Sequence, residues 1–209
     1  MIHILLVDSH PIVRKGLELF LNSKPDLKVI GSLESGIEIF EFVRRNNVDV
    51  IISEIDLPEL NGITALRAIK KEYKSVNVLM FSHQPEEIYA ISTLKAGASG
   101  YLNKTASVEE IEKAVRLIHA GETSLSDKMD KHLRYEDTRK SRSRMFKKLS
   151  TREVEVLKLL SIGRKNKEIA QELDINEKTV STYKARLFKK LSVNNIVDLI
   201  HQAKHHNLA

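Results

Sequence analysis

Carboxylate, hydroxyl and amine groups recur at equivalent places in the first 120 residues, at the ends of short apolar runs. Asp8 and Ser9 follow the run HILLV, Glu54 follows VDVIIS, Ser82 follows VNVLMF, and Lys104 closes GYLNK. Carboxylate oxygens can hold a divalent cation, and hydroxyl and amine groups can contact other polar or charged ligands. These residues are therefore candidates for one ligand-binding pocket, provided that the fold brings them together.

The apolar runs predict the scaffold for such a pocket. Strand-like and helical segments alternate along residues 1–120, where HILLV, LKVIG, VDVIIS, VNVLMF and GYLNK are separated or followed by helical runs that begin near Pro11, Ser35, Gly62, Pro85 and Ser107. Near-continuous apolar strands are typical of a parallel sheet that is covered on both faces. We predict an α/β domain with a five-stranded, doubly wound parallel sheet, in which ligands bind at the carboxyl ends of the strands.

A second pattern, NKEIAQELDINEKTVSTYKARLFKKL, predicts two short amphipathic helices joined by a tight turn. Ile169, Ala170 and Leu173 form the apolar stripe of the first helix, and Asn166 is placed to cap its first amide groups. The turn falls at 174–176. Two such helices, the second rich in cations, are typical of a DNA-reading helix-turn-helix.

The second helix has an apolar face and a polar, basic face. Val180, Leu187 and Leu191 recur at helical spacing and must face the core. Short side chains suit close approach to base edges, and long cations at the flanks, including Lys190, suit phosphates. The predicted DNA-binding residues are Lys178, Thr179, Ser181, Thr182, Lys184, Ala185, Arg186 and Lys189.

Charge and composition agree with this division of roles. Residues 1–120 contain 14 basic and 16 acidic side chains (net −2), and the remaining residues contain 20 and 12 (net +8), so the cationic field belongs to the C-terminal part.

Cysteine is absent, which excludes disulfide and thiolate sites. No apolar run approaches the roughly 20 residues of a membrane span, and we expect a cytoplasmic protein. His201 and His205 are an i, i+4 pair without a third ligand, so no metal site is expected.

The C-terminal motifs resemble a known family. The runs LSTREVEVLKLL, NKEIA and KTVSTYKARL, with a closing helix over 194–205, are similar to the LuxR-type helix-turn-helix of NarL/FixJ response regulators, and TVSTYK resembles a branch with virulence and acid-response regulators. The resemblance implies a four-helix domain whose third helix reads double-stranded DNA. It also implies that the fourth helix pairs two copies, here through Val197 and Ile200, as a homodimer.

The N-terminal motifs VDSHPIVRKGL, DVIISEIDLPELNG and GASGYLNK resemble the flavodoxin-like receiver domain of two-component response regulators. In that family an aspartate on the third strand accepts phosphate, and two acids after the first strand hold Mg²⁺. Here these positions hold Glu54 and Ser9, so the resemblance implies a degenerate acceptor pocket with weak or lost Mg²⁺ binding. The longer Glu54 side chain is expected to reach toward Lys104 and Ser82, as a permanent, partial imitation of the phosphorylated state.

Receivers couple a fourth-strand hydroxyl to a fifth-strand aromatic, and Ser82 and Tyr101 match these switch positions. Other interpretations stay open. Tyr101 is equally well a half-buried strand aromatic, Asp8, Glu54 and Lys104 are equally well an ion-pair cluster that only fixes the fold, and Glu54 is a natural or an engineered replacement. Asp49 and Asp56 are expected to miss the pocket.

The resulting hypothesis has three segments and one function. We predict a receiver or pseudo-receiver domain over 1–120, a linker over 121–147 and a LuxR-type domain over 148–209. The expected function is sequence-specific regulation of transcription without enzymatic activity and independent of phosphorylation, steered by Glu54 or by a regulatory protein partner. The alternatives are a conventional regulator phosphorylated by a sensor histidine kinase, and a module that titrates other regulators and binds DNA weakly.

Overall fold

The computed structural model describes residues 1–126, Met129 and 149–205 of the chain. These residues form two compact units, an N-terminal α/β unit and a C-terminal helical unit. Most of the predicted linker over 121–147 lies outside the described residues, and the predicted domain boundaries stay predictions.

The N-terminal unit is built on a five-stranded sheet. Its strands are β1 (Ile2–Val7), β2 (Leu27–Leu33), β3 (Val50–Ser53), β4 (Asn77–Ser82) and β5 (Gly100–Asn103). All neighbouring pairs are parallel, in the order β2-β1-β3-β4-β5. The predicted doubly wound parallel sheet is therefore confirmed, and the strand order reverses between β1 and β3, where such folds form a crevice.

Five helices connect these strands: α1 (Pro11–Asn22), α2 (Glu38–Arg45), α3 (Gly62–Glu72), α4 (Glu86–Lys95) and α5 (Val108–His119). Four begin within a residue of the predicted start, but α2 begins at Glu38 rather than near Ser35. The reason is that the buried Ser35 hydroxyl donates to the Pro58 carbonyl and to Glu59, which ties this stretch to the loop after β3 instead of to a helix.

The core of this unit follows the alternation of side chains along the strands. Leu17 and Leu21 of α1 and Val115 of α5 pack with Ile4 and Leu6 of β1 in one buried cluster. Because successive strand residues point to opposite faces, the intervening buried residues of the strands support the helices on the other side of the sheet. Burial of both faces explains the continuous apolar strands.

The C-terminal unit contains α6 (Thr151–Ser161), α7 (Asn166–Glu172), α8 (Glu177–Leu191) and α9 (Ile196–His205), which confirms the predicted four-helix domain. Helix α6 packs against the other three helices, and α8 also packs against α7 and α9. Ser150 and Glu153 form a capping box at α6, and the Asn176 side chain accepts the Thr179 N–H at 2.7 Å at the start of α8.

In the part of the chain that the structure describes, no helix combines the length and the hydrophobicity of a membrane span.

Candidate regulatory pocket and nucleic-acid interface

The carboxyl ends of β1, β3 and β5 bring Asp8, Glu54 and Lys104 into one cluster. The Lys104 Nζ lies 2.6 Å from Asp8 Oδ2 and 2.7 Å from Glu54 Oε2. The Glu54 side chain is fully buried, and only 15 % of the Lys104 side chain is exposed. The arrangement is a buried ion-pair triad, at the edge of the sheet where the sequence placed the pocket.

The backbone after β3 holds the Glu54 carboxylate in place. Its Oε1 accepts the N–H groups of Ile55 at 2.5 Å and Asp56 at 3.3 Å. The loop can fold back here because α3 begins with Gly62, where an added Cβ would lie 2.0 Å from the Glu54 carbonyl oxygen. The carboxylate is thus fixed by its own loop on one side and by Lys104 on the other.

Lys104 remains charged in this buried place. Burial lowers the pKa of the Lys104 amine, but the contacts with Asp8 and Glu54 outweigh burial and raise the pKa above its ordinary value. Two carboxylates around one ammonium favour the charged form, because an opposite charge within about 4–6 Å stabilises it.

The Asp8 carboxylate is engaged on both oxygens. Its Oδ1 accepts the His10 backbone N–H at 2.9 Å and lies 2.8 Å from His10 Nδ1, while Oδ2 faces Lys104. Ser9 is half-buried and its hydroxyl lies 3.4 Å from the same imidazole nitrogen. Ser9 therefore contacts His10 rather than the triad.

Ser82 and Tyr101 are linked through Gln84, a residue that the sequence did not predict to have a role. The Gln84 N–H donates to the Ser82 hydroxyl at 3.3 Å, and the Gln84 carbonyl accepts the Tyr101 hydroxyl at 2.8 Å and the Asn103 amide at 3.1 Å. Tyr101 is fully buried, not half-buried. The loop after β4 thus ties the two predicted switch residues together.

The prediction that Asp56 misses the pocket is wrong. The Gln84 side-chain amide donates to Asp56 Oδ2 at 2.6 Å, and the imidazole of His83 lies between Asp56 and Glu54. The tight backbone path after Glu54 turns the Asp56 side chain toward the loop after β4. Asp49, by contrast, accepts the His3 N–H at 2.7 Å at the opposite end of the sheet.

The polar face of α8 is accessible as predicted. Val180, Leu187 and Leu191 are buried. Of the predicted DNA-binding residues, the exposed ones are Lys178, Ser181, Thr182, Ala185, Arg186 and Lys189, and the partly buried ones are Thr179 and Lys184. The Lys184 ammonium lies 5.9 Å from the Phe188 ring centroid, and the Arg186 guanidinium lies 5.8 Å from the Tyr183 ring centroid. Aromatic rings of the same helix therefore orient two of these cations.

The α7–α8 turn lies where it was predicted, with Asp174 in the left-handed region at φ 50°. The prediction that Asn166 caps α7 is wrong. Helix α7 begins at Asn166 itself, and the amide of that residue instead donates to the Ser181 hydroxyl at 3.2 Å. The Lys165 N–H is satisfied by the Glu168 carboxylate at 2.8 Å. Asn166 is thus a link between the two helices.

The predicted phosphate-facing role of Lys190 is also wrong. Its Nζ lies 2.7 Å from Glu153 Oε2, and Glu153 is buried. Burial raises the pKa of Glu153, but Lys190 and the Ser150 cap outweigh burial and lower it below its ordinary value. Lys190 therefore serves the packing of α8 on α6.

The helix implied to pair two copies leaves one large apolar side chain accessible. Val197 of α9 is 70 % exposed, and Ile200 is partly buried. Leu199, between them in sequence, is fully buried. Helix α9 thus has an inward face and an outward face, and Val197 belongs to the outward one.

Comparison with protein families agrees with both units. Residues 4–116 match the response regulator receiver domain, and residues 147–203 match the bacterial regulatory proteins of the luxR family. A receiver domain joined to a LuxR-type helix-turn-helix defines the class of response regulators that regulate transcription by binding DNA. The chain belongs to this LuxR family of response regulators.

Relatives and solved structures extend along the whole chain. Response regulator UvrY of Escherichia coli K12 is 31 % identical over 209 residues, covering 100 % of this chain and 96 % of that protein. BvgA of Bordetella pertussis is 33 % identical over 206 residues, covering 99 % and 98 %. The structure of RcsB from Salmonella enterica serovar Typhimurium bound to promoter P1flhDC with the phosphomimetic BeF3⁻ has a TM-score of 0.75 and 25 % identity, covering 96 % of each chain.

Proposed function

We propose that this chain is a sequence-specific transcription regulator whose receiver works without phosphorylation, because Glu54 supplies a permanent negative charge at the acceptor position. The observation that carries the proposal is the contact between Glu54 Oε2 and Lys104 Nζ at 2.7 Å. A cation at this place would neutralise the charge of a transferred phosphoryl group. The Glu54 carboxylate already provides Lys104 with a negatively charged partner, as a phosphoryl group would.

The same geometry disfavours the Mg²⁺ site that the receiver fold implies. Mg²⁺ demands near-octahedral oxygen ligation and is usually held by carboxylates, waters and phosphate. Both Asp8 oxygens already face His10 or Lys104, Ser9 offers a hydroxyl in place of a carboxylate, and Glu54 is held by Lys104 and its own loop. We infer that Mg²⁺ binding is weak or lost, and no step of the proposed function uses it.

The pocket has a structural route to the rest of the receiver. Asp56, next to the Glu54 loop, holds the Gln84 side chain, and the Gln84 backbone holds Ser82 and Tyr101. A charge at position 54 that keeps this loop ordered would keep Tyr101 buried. In a two-state receiver such a contact biases the equilibrium toward one conformation.

We further propose that α8 enters the major groove and that the protein acts as a homodimer on paired half-sites. Ser181 and Thr182 donate their hydroxyl protons to the carbonyls of Glu177 and Lys178 at 3.0 Å. The hydroxyl oxygen and methyl group of Thr182 are left for base edges, as is the Ser181 lone pair that does not accept the Asn166 amide. The exposed cations supply phosphate contacts. RcsB, which shares the fold along nearly its whole length, has been solved on promoter DNA. The outward Val197 suits pairing of two copies.

The test compares DNA affinity with and without the Glu54 charge. Genomic fragments that bind the full-length chain in the absence of a phosphodonor would be selected, and the affinity of wild type, Glu54→Gln and the control Glu109→Gln would be measured on them. Glu109 is an exposed acid on the first turn of α5. We expect selective wild-type binding, roughly tenfold weaker binding by Glu54→Gln (about 1.4 kcal/mol) and unchanged binding by Glu109→Gln.

The alternatives give different results in the same assay. A conventional regulator would bind DNA selectively only after phosphorylation by a sensor kinase or a small-molecule phosphodonor. A module that titrates other regulators would form tight hetero-complexes and bind specific and random duplexes equally. Equal affinity of wild type and Glu54→Gln would contradict the role assigned to Glu54.

A further inference from the structure

The exposed hydroxyl of Ser181 on α8 makes two hydrogen bonds within the C-terminal unit. Its proton is donated to the Glu177 carbonyl at 3.0 Å, one turn earlier on the same helix, and its oxygen accepts the side-chain amide of Asn166 from α7 at 3.2 Å. A serine hydroxyl has one proton and two acceptor lone pairs. The second lone pair of Ser181 is therefore left for a partner outside the protein.

Asn166 reaches Ser181 because both residues lie at the border of the contact between α7 and α8. Asn166 is the first residue of α7, three residues before the buried Ile169, and Ser181 directly follows the buried Val180. The two helices pack against each other. The core thus sets the position from which the Asn166 amide holds the hydroxyl.

These two hydrogen bonds favour Ser181 as an acceptor toward DNA. If the hydroxyl donated its proton to a base, it would lose the hydrogen bond to the Glu177 carbonyl. If it turned its second lone pair inward, it would have no site for a base donor while the Asn166 amide keeps the first one occupied. A base that offers a donor requires neither change, so it is the partner of lowest cost.

From these contacts we propose that Ser181 selects adenine or cytosine on one strand of each half-site, and that Asn166 is the positioning residue that fixes this selection. In the major groove, adenine N6 and cytosine N4 carry amino groups that donate, whereas guanine O6 and thymine O4 accept. The selection therefore separates A or C from G or T on that strand. It does not separate A·T pairs from G·C pairs.

This inference rests on the proposed entry of α8 into the major groove, and it does not depend on Glu54 or on phosphorylation. It adds the class of base that α8 selects at one position. It also assigns part of the selection to Asn166, a residue outside α8.

The experiment measures the base preference of the full-length chain on one of the selected genomic fragments. Base pairs of the bound site are replaced one at a time, and the pair whose preference is lost in Ser181→Ala is the pair that Ser181 contacts. We expect wild type to bind A or C there roughly fivefold more tightly than G or T. Purine in place of adenine, or pyrimidin-2-one in place of cytosine, lacks the amino group and should weaken wild-type binding by a similar factor. Ser181→Ala should bind the modified and unmodified sites equally.

Asn166→Ala tests the positioning role. Without the amide, the Ser181 hydroxyl can turn its proton toward a base, so the preference for A or C should fall below about twofold. Because Asn166 carries no charge, affinity for random duplexes should stay unchanged. A merely structural role would instead weaken binding to all sequences alike. Gln171→Ala removes an exposed amide of the same helix and should keep the wild-type preference, and thermal unfolding checks that both variants are folded.

The outcomes separate this inference from the proposed function. A preference for G or T at the Ser181 pair, equal weakening of wild type and Ser181→Ala by loss of the amino group, or an unchanged preference in Asn166→Ala would overturn the inference and leave groove entry by α8 standing. The inference would also fail if no pair depended on Ser181. If Thr182→Val altered no base preference either, groove entry itself would be contradicted.

Discussion

Lys104 holds Glu54 across the carboxyl edge of the sheet, with Nζ and Oε2 separated by 2.7 Å in a place that solvent barely reaches. Asp8 contacts the same ammonium from β1 at 2.6 Å. The two members of the Glu54–Lys104 pair are therefore not equivalent. The Lys104 ammonium contacts a second carboxylate, that of Asp8, whereas the ammonium that Glu54 contacts is that of Lys104.

This asymmetry predicts unequal costs for removing the two partners. Lys104→Met leaves two buried carboxylates without their cation, and we expect it to lower the free energy of unfolding by about 3 kcal/mol. Glu54→Gln leaves Lys104 paired with Asp8 and should cost about 1 kcal/mol. Denaturant unfolding of the full chain measures both. Equal losses would contradict the buried triad.

The Gln84 loop gives a second prediction. Tyr101→Phe removes the hydroxyl that the Gln84 carbonyl accepts at 2.8 Å, and we expect a loss of about 1 kcal/mol in unfolding free energy. Tyr73→Phe is the matched control, because Tyr73 is only partly buried, and it should change stability by less than about 0.5 kcal/mol. If the two variants were equally stable, the hydroxyl of Tyr101 would have no structural role.

Adjacent lysines on α8 are predicted to have separate roles. Lys189 is exposed, so Lys189→Met should weaken binding to all duplexes and reduce the slope of log affinity against log salt by about 0.9. Lys190 is paired with Glu153 at 2.7 Å, so Lys190→Met should lower the stability of the C-terminal unit and leave the salt slope nearly unchanged. Salt titrations and thermal unfolding of both variants test the assignment. A reduced salt slope for Lys190→Met together with a loss of stability for Lys189→Met would contradict the assignment.

The Glu153–Lys190 pair predicts an acid-sensitive stability. The folded protein lowers the pKa of Glu153 below its ordinary value of 4.5, so the carboxylate contributes stability above pH 4.5 that is lost as the pH falls through the lowered pKa. Glu153→Gln should therefore reduce stability by about 1 kcal/mol near neutral pH, and the difference from wild type should shrink in acid. A difference that stays constant from pH 7 to pH 3 would contradict the ion pair.

The sequence was sufficient to predict the sheet and the contact between Glu54 and Lys104. Apolar periodicity identifies the strands, and parallel strands necessarily bring their carboxyl ends to one edge. In α8, the same periodicity separated Val180 and Leu187 from the exposed residues. These features depend on patterns that recur along the chain, which a single sequence contains.

Contacts that depend on one backbone path or one rotamer could not be predicted. Gln84 links Ser82 and Tyr101 because the loop after β4 turns the Gln84 carbonyl toward the Tyr101 hydroxyl. Asp56 lies beside Glu54 because Gly62 allows the loop after β3 to fold back on Glu54. From the sequence, Lys190 and Lys189 could not be told apart as phosphate contacts, because the Lys190 partner Glu153 lies on another helix. No local pattern identifies such partners, because they come from distant parts of the chain.

The central claim is that Glu54 makes phosphorylation unnecessary, and it is tested most directly by treating the full-length chain with Mg²⁺ and a small-molecule phosphodonor. Intact mass and affinity for the selected genomic fragments would be measured in the same samples. We predict no added phosphoryl mass and the same tight, sequence-selective binding before and after treatment. A phosphoryl group that is added and that tightens DNA binding would contradict the claim and would show that another side chain accepts phosphate.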